Sequence, residues 1–138
     1  MGRGIGLDLT QFSYQPDEIP KKKHHWGEPH AGFVRVRGQL IGKCPATMTI
    51  ATAEALLHQG FFAATDLAWP RRVFALGPDG VLYRFAETIP GRSYHGYPVH
   101  PSEYHRTLTS AERERIQAAA ASLGCEAQLR LWLSKGAP

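Results

Sequence analysis

A β-hairpin in the middle of the chain constrains the fold more than any other feature. Two alternating apolar stretches, residues 72–76 and 81–85, flank the tetrapeptide Gly77-Pro78-Asp79-Gly80. Proline at the second position of this turn and glycine at the last are typical of a type I turn closed by a left-handed residue. The chain therefore contains antiparallel strands, and its other elements must pack on them.

Another strand is predicted before the hairpin. Residues 33–37 alternate between apolar and basic side chains, which is typical of a half-buried strand. Gly38 and Gly42 bracket Leu40 and Ile41, so we expect this strand to continue through a bulge.

The sequence predicts a helix on each side of the hairpin. Thr49 is a candidate N-cap for a helix that stops near Gly60, and the segment Thr109-Ser110-Ala111-Glu112 is a capping box before a helix that stops at Gly124. The apolar stripes of the two helices are Ile50, Ala53, Leu56 and Leu57, and Ile116, Ala119, Ala120 and Leu123. Residues 129–133 fit either a last strand or a short helix, and we favour the helix. We expect Phe61 and Trp69, between the first helix and the hairpin, to be mostly buried.

These elements predict an α+β fold, with a small antiparallel sheet of three to four strands and two or three helices. The first part of the chain differs, because it is rich in glycine and proline, carries the run Lys21-Lys22-Lys23 and has no sustained periodicity. We therefore expect an extended or poorly ordered, flexible N-terminal arm over residues 1–31 and a single domain over residues 32–138. Trp26 in the arm could stack on a base or lie on the domain surface.

Composition limits the class of protein and the compartment. The chain has 138 residues, 43% of them hydrophobic, and its net charge is +4. No apolar run is long enough for a membrane span and the N-terminus lacks a signal-peptide core, so we expect a cytoplasmic protein without a membrane partner. The basic balance permits an acidic protein or RNA as partner. Cys44 and Cys125 form no CxxC pair and are expected to be reduced thiols.

Candidate functional groups concentrate between Arg84 and Arg106. The segment Pro90–His100 combines prolines and glycines with Tyr, His and Arg side chains, and we expect a rigid, irregular loop there. The candidate binding residues are Arg84, Arg92, Tyr94, His95, Tyr97, His100 and Tyr104, with Trp26 from the arm.

A metal centre is not expected in this region. His95, His100 and His105 recur every five residues, a spacing that does not place them on one helical face. Pro98 and Pro101 are expected to exclude a helix here. No motif for a metal or a small-molecule cofactor is present.

Two functional hypotheses remain. We favour a small protein-binding domain, such as an inhibitor, an adaptor or the immunity partner of a toxin, which meets an acidic face of another protein through the loop Arg92–His105. The alternative is a metal-independent, toxin-like ribonuclease. In that case His95 and His105 supply the acid and base, Arg92 the cation and Tyr94 an orienting hydroxyl. Arg84 and Glu103 are further candidates for the cation and for the acid or base. A third possibility is purely structural, with the aromatic side chains closing the end of the sheet and His95 bonded to backbone.

Overall fold

The predicted hairpin forms one edge of a four-stranded sheet. The computed structural model describes residues 9–14, 31–36, 39–43, 48–63, 67–77 and 79–134. Strands β4 (Arg72–Leu76) and β5 (Leu82–Ile89) are antiparallel, and Leu76 faces Leu82 across the turn. Gly80 has φ of +80°, as the turn chemistry requires. The β-carbon of Gln128 lies so close to Gly80 that no side chain fits there.

Two more strands complete this sheet, and the described part of the chain has the predicted α+β class. Strand β6 (Ser93–Pro98) pairs antiparallel with β5, and β1 (Ser13–Tyr14) pairs parallel with β6. The strand order is β1–β6–β5–β4, so the sheet is mixed.

The strand predicted at residues 33–37 does not continue through a bulge. Strand β2 (Gly32–Val36) pairs antiparallel with β3 (Gln39–Lys43), with Val36 opposite Gln39. The two connecting residues, Arg37 and Gly38, lie outside the described residues. The chain therefore reverses its direction between Val36 and Gln39.

Helix α1 (Ile50–His58) and helix α3 (Ser110–Leu123) begin at the predicted caps. The Thr49 hydroxyl accepts a hydrogen bond from the Thr52 amide at 3.0 Å, and the capping box of Thr109 and Glu112 is complete. Gly124 ends α3 with φ of +72°. Each predicted apolar stripe includes one residue that is not buried: Ile50 of α1 is 50% exposed, and Leu123 of α3 is 64% exposed.

The C-terminal segment is helical, as favoured, and a short helix was missed. Helix α4 spans Glu126–Leu133, and helix α2 spans Pro101–Arg106. The expectation that Pro101 excludes a helix was wrong. Proline occupies the first turn of α2, where its missing N–H has no intrahelical partner to lose.

Part of the predicted N-terminal arm belongs to the domain. Leu9 and Phe12 are buried in the core, and the Ser13 amide donates to the carbonyl of Arg92 at 3.1 Å. The Nε2 atom of His58 donates to the Phe12 carbonyl at 2.7 Å. Residues 9–14, which fall within the range predicted for the arm, therefore pack on the domain, because Phe12 lies in its core. Residues 1–8 and 15–30, which include Trp26, lie outside the described residues.

Helices cover both faces of the sheet, and buried apolar residues lie on both of them. Helix α1 and Phe12 cover the face that carries Val73, Phe85 and Tyr94. Helices α2 and α3 contact the other face through ion pairs with β5 and β4. Helix α4 is tied to the chain after β6, since the Trp132 indole nitrogen donates to the Val99 carbonyl at 2.9 Å.

Candidate functional site

The segment predicted to be an irregular loop forms regular structure. Residues 90–92 make the β5–β6 turn, Ser93–Pro98 form β6, and Pro101 starts α2. Gly91 takes φ of +79° in the turn. The prolines and glycines therefore mark the ends of elements, while Gly96 lies so close to the Phe85 ring that no β-carbon fits there.

Tyr94 is buried in the core under β6. It has no exposed surface, and its hydroxyl donates to the Pro70 carbonyl at 2.5 Å. Burial raises the pKa of Tyr94, and the nearby carboxylate of Glu87 raises it further. Successive side chains of a strand point to opposite faces, so Tyr94 and His95 are on different sides of the sheet. Tyr94 therefore cannot orient His95, as the ribonuclease hypothesis requires.

The opposite face of β6 carries a polar cluster with Tyr97 at its centre. Tyr97 is paired with Arg84 across the strands, and the Arg84 guanidinium carbon lies 5.7 Å from the centre of the Tyr97 ring. Arg84 forms an ion pair with Glu103 of α2, and Arg72 forms one with Glu112 of α3 at 2.8 Å. Both guanidinium groups are thus already balanced by carboxylates, so neither is a ready cation for a phosphorane.

The same cluster sets the proton affinity of Tyr97. Burial raises the pKa of the Tyr97 hydroxyl, and Glu103 adds to that rise, whereas Arg84 and Arg72 act in the opposite direction. Tyr97 is therefore a neutral phenol at physiological pH. His95 lies nearby on the same face of β6, where its Nδ1 atom is 2.8 Å from the Thr88 hydroxyl.

His100 and Tyr104 are both buried and hydrogen-bonded within the domain. His100 is buried and caps α2, because its Nδ1 atom accepts a hydrogen bond from the Ser102 amide at 3.0 Å. The Phe33 ring packs edge-on against it at 4.7 Å. Tyr104 is buried too, and its hydroxyl accepts from the Gln117 side chain at 2.8 Å. Neither residue presents the exposed ring that the binding hypothesis expects.

The four predicted catalytic residues occupy different places. Arg92 is exposed in the β5–β6 turn, Tyr94 is under the sheet and His95 is on its other face. His105 is exposed at the end of α2, where it lines a cleft with residues of α3 and α4. Of these four residues, Arg92 and His105 are exposed.

Phe61 and Trp69, which were both expected to be mostly buried, differ in their exposure. Phe61 is buried, but Trp69 is only partly so. The Trp69 indole nitrogen donates to the carboxylate of Glu87, and its ring packs against Gly91 of the β5–β6 turn. The neighbouring Ile89 is 42% exposed. The Pro70 carbonyl, next to Trp69, accepts a hydrogen bond from the Tyr94 hydroxyl. No local pattern in the sequence showed that part of Trp69 stays exposed.

The described residues include no group of three or more His, Cys, Asp or Glu side chains that could hold a metal ion. Cys44 lies outside this part of the chain, and Cys125 is a buried free thiol. Among the same residues, no helix has the length and apolar character needed to cross a bilayer.

The function of this site has to be inferred from the contacts described above. Neither family models, curated protein sequences nor solved structures give a match to the chain.

Proposed function

We propose that this chain is a small protein-binding domain, an inhibitor, adaptor or immunity-type partner, whose contact surface lies at the β5–β6 turn. This turn surface consists of Leu67, Trp69, Arg71, Ile89 and Arg92. The observation that carries the proposal is the state of Trp69. Its ring is partly exposed, while Gly91 and Glu87 hold it in place.

A fixed and accessible tryptophan is the kind of residue that dominates binding energy. Aromatic anchors are enriched at the centres of protein interfaces, and a side chain already held in place loses little entropy when a partner binds. Two exposed apolar residues accompany Trp69: Leu67, two positions before it, is 51% exposed, and Ile89, between its contacts Glu87 and Gly91, is 42% exposed. Such a grouping provides an apolar centre for a contact.

The charge around this centre favours an acidic partner. Arg71 and Arg92 are both exposed, and among the described residues neither belongs to an ion pair within 4.0 Å. Charges at the rim of an interface steer association and select partners of opposite sign. A partner that brings carboxylates to these two arginines would fit the surface.

The rest of the predicted contact region supports this surface from below. Tyr94 anchors the Pro70 carbonyl, next to Trp69, and the backbone of Arg92 is bonded to β1. The ribonuclease alternative has less support, because Tyr94 is buried on the opposite face of β6 from His95 and Arg84 is already paired with Glu103.

The test is capture and reconstitution of a partner. The wild-type chain, Trp69→Ala, Arg92→Glu and the control Arg106→Glu are each used as bait. A partner that co-purifies in equal amounts with the wild type and the control is purified and titrated. We expect its affinity to fall at least about tenfold with Trp69→Ala and its association to slow with Arg92→Glu and with added salt. Hydrogen exchange of the complex should protect residues 67–71 and 89–92.

Two results would contradict the proposal. One is a partner whose affinity is unchanged in both turn-surface variants. The other is cleavage of total RNA by the pure protein, in the presence of a chelator, that His95→Ala abolishes.

A further inference from the structure

A second site lies where helices α2, α3 and α4 meet, away from the turn surface. The cleft there has a volume of about 310 Å³, at the lower end of the range of small-molecule sites. Its main lining residues are Tyr104, His105, Gln117, Glu126, Arg130 and Leu133.

One part of this cleft is apolar and held in place. The Tyr104 ring is buried, its hydroxyl is fixed by Gln117, and the ring of His105 stands perpendicular to it with centres 5.2 Å apart. Leu133 is partly exposed at the same cleft. A small apolar group could therefore pack on Tyr104 and Leu133 without rearranging the helices.

The other part of the cleft carries two opposite charges without ionic partners. Among the described residues the ion pairs within 4.0 Å are Arg72–Glu112 and Arg84–Glu103, so Glu126 and Arg130 are both unpaired. They are exposed and one helical turn apart on α4. Any direct attraction between two such exposed side chains is weak, so a ligand loses little by replacing it.

These features define the chemistry of a ligand. A guanidinium binds a carboxylate through two parallel hydrogen bonds, and a carboxylate binds an ammonium group. An anion alone would be repelled by Glu126, and a cation alone by Arg130. We propose that this cleft binds a small zwitterion with an apolar side chain, of the type of a free amino acid. Arg130 takes its carboxylate, Glu126 its ammonium group, and Tyr104 with Leu133 its side chain. This site does not depend on the proposed protein-binding function.

The probe for the experiment is L-leucine, titrated into the full chain and followed by amide chemical shifts. We expect a dissociation constant on the order of 1 mM, with shifts confined to residues around α2, α3 and α4. N-acetyl-L-leucine lacks the ammonium group and L-leucinamide lacks the carboxylate. Each should bind at least about fivefold more weakly than L-leucine, because each leaves one charged side chain of the cleft without a charged ligand group to bind.

Two variants test which charged side chain of the cleft binds which charged group of the ligand. Glu126→Gln should remove the preference for L-leucine over N-acetyl-L-leucine, and Arg130→Gln should remove the preference over L-leucinamide. Arg92→Gln, which changes an exposed cation at the turn surface, is the control and should bind L-leucine as the wild type does. Thermal unfolding of each variant verifies that the fold is intact.

Several outcomes would overturn the inference. These are the absence of saturable shifts with L-leucine, equal binding of the three probes, or unchanged probe preference in both cleft variants. Loss of binding with Arg92→Gln would also contradict it, because that residue is outside the cleft. None of these results bears on partner capture through Trp69, so the two proposals fail separately.

Discussion

The ring of Trp69 packs on the backbone of Gly91, so that a β-carbon added at position 91 would stand 3.2 Å from ring carbons Cη2 and Cζ3. Gly91 also has φ of +79°, a conformation that is strained for any residue with a side chain. The shape of the β5–β6 turn and the position of the indole are therefore coupled. A change in either one should disturb the other.

Gly91→Ala should lower the free energy of unfolding by about 2 kcal/mol, of which about 1 kcal/mol is backbone strain. It should also move the indole N–H resonance of Trp69 and weaken binding at the turn surface. Urea unfolding and the indole resonances provide the measurements. Gly124→Ala is the matched control, since Gly124 has φ of +72° with nothing within 4 Å of an added β-carbon. Equal losses in the two variants, with the Trp69 resonance unmoved, would show that the contact is unimportant.

The segment around Phe12 provides a test of where the domain begins. Phe12 is 4% exposed and its ring packs edge-on against Tyr94, with centres 5.2 Å apart. Phe12→Ala should cost about 3–4 kcal/mol, because it leaves a cavity in the core. Gln11→Ala, at an exposed neighbouring position, should cost less than about 0.5 kcal/mol. If the two variants unfold at the same urea concentration, residues 9–14 do not contribute to the stability of the domain.

Local signals in the sequence were sufficient for the elements whose chemistry is local. The left-handed Gly80 that closes the hairpin turn, the caps of α1 and α3 and the left-handed Gly124 all depend on a few adjacent residues, and the structure confirms them. The helix α2 was missed because Pro101 was treated as a helix breaker, although proline is compatible with a first turn.

The candidate site was harder to predict because it depends on contacts between distant residues. Tyr94 and His95 are adjacent in sequence, yet β6 separates them onto opposite faces, which becomes visible only once residues 93–98 are known to be a strand. Likewise, the pairing of Arg84 with Glu103 across 19 residues converts an apparent free cation into half of an ion pair. Composition identified the region, and the pairing of the strands determined which side chains are accessible.

Alkaline pH should destabilise the protein through its buried phenols. The pKa values of Tyr94 and Tyr97 are raised, chiefly by burial. The unfolded chain loses these protons near pH 10 while the folded protein retains them. Their contribution to stability is therefore complete below about pH 10 and is lost as the pH rises from there through the folded-state pKa values.

Tyr94→Phe should reduce this alkaline loss, although it costs about 1 kcal/mol at neutral pH because the Pro70 carbonyl loses its donor. The measurement is the free energy of unfolding in urea as a function of pH for both proteins. The two curves should converge as the pH rises. A variant curve that stays parallel to the wild-type curve would exclude Tyr94 as a source of the pH dependence.

The pKa of Tyr97 tests the polar cluster on the face of β6 that α2 contacts. Glu103 raises this pKa and Arg84 lowers it, so Glu103→Gln should lower it and Arg84→Gln should raise it. The ultraviolet absorbance of tyrosinate follows the titration, and Tyr97→Phe identifies the signal that belongs to this residue. If burial alone determined the proton affinity of Tyr97, neither substitution would move its pKa. Shifts in opposite directions would establish that both charges act on the hydroxyl, and that Arg84 is engaged within the cluster rather than available to a substrate phosphate.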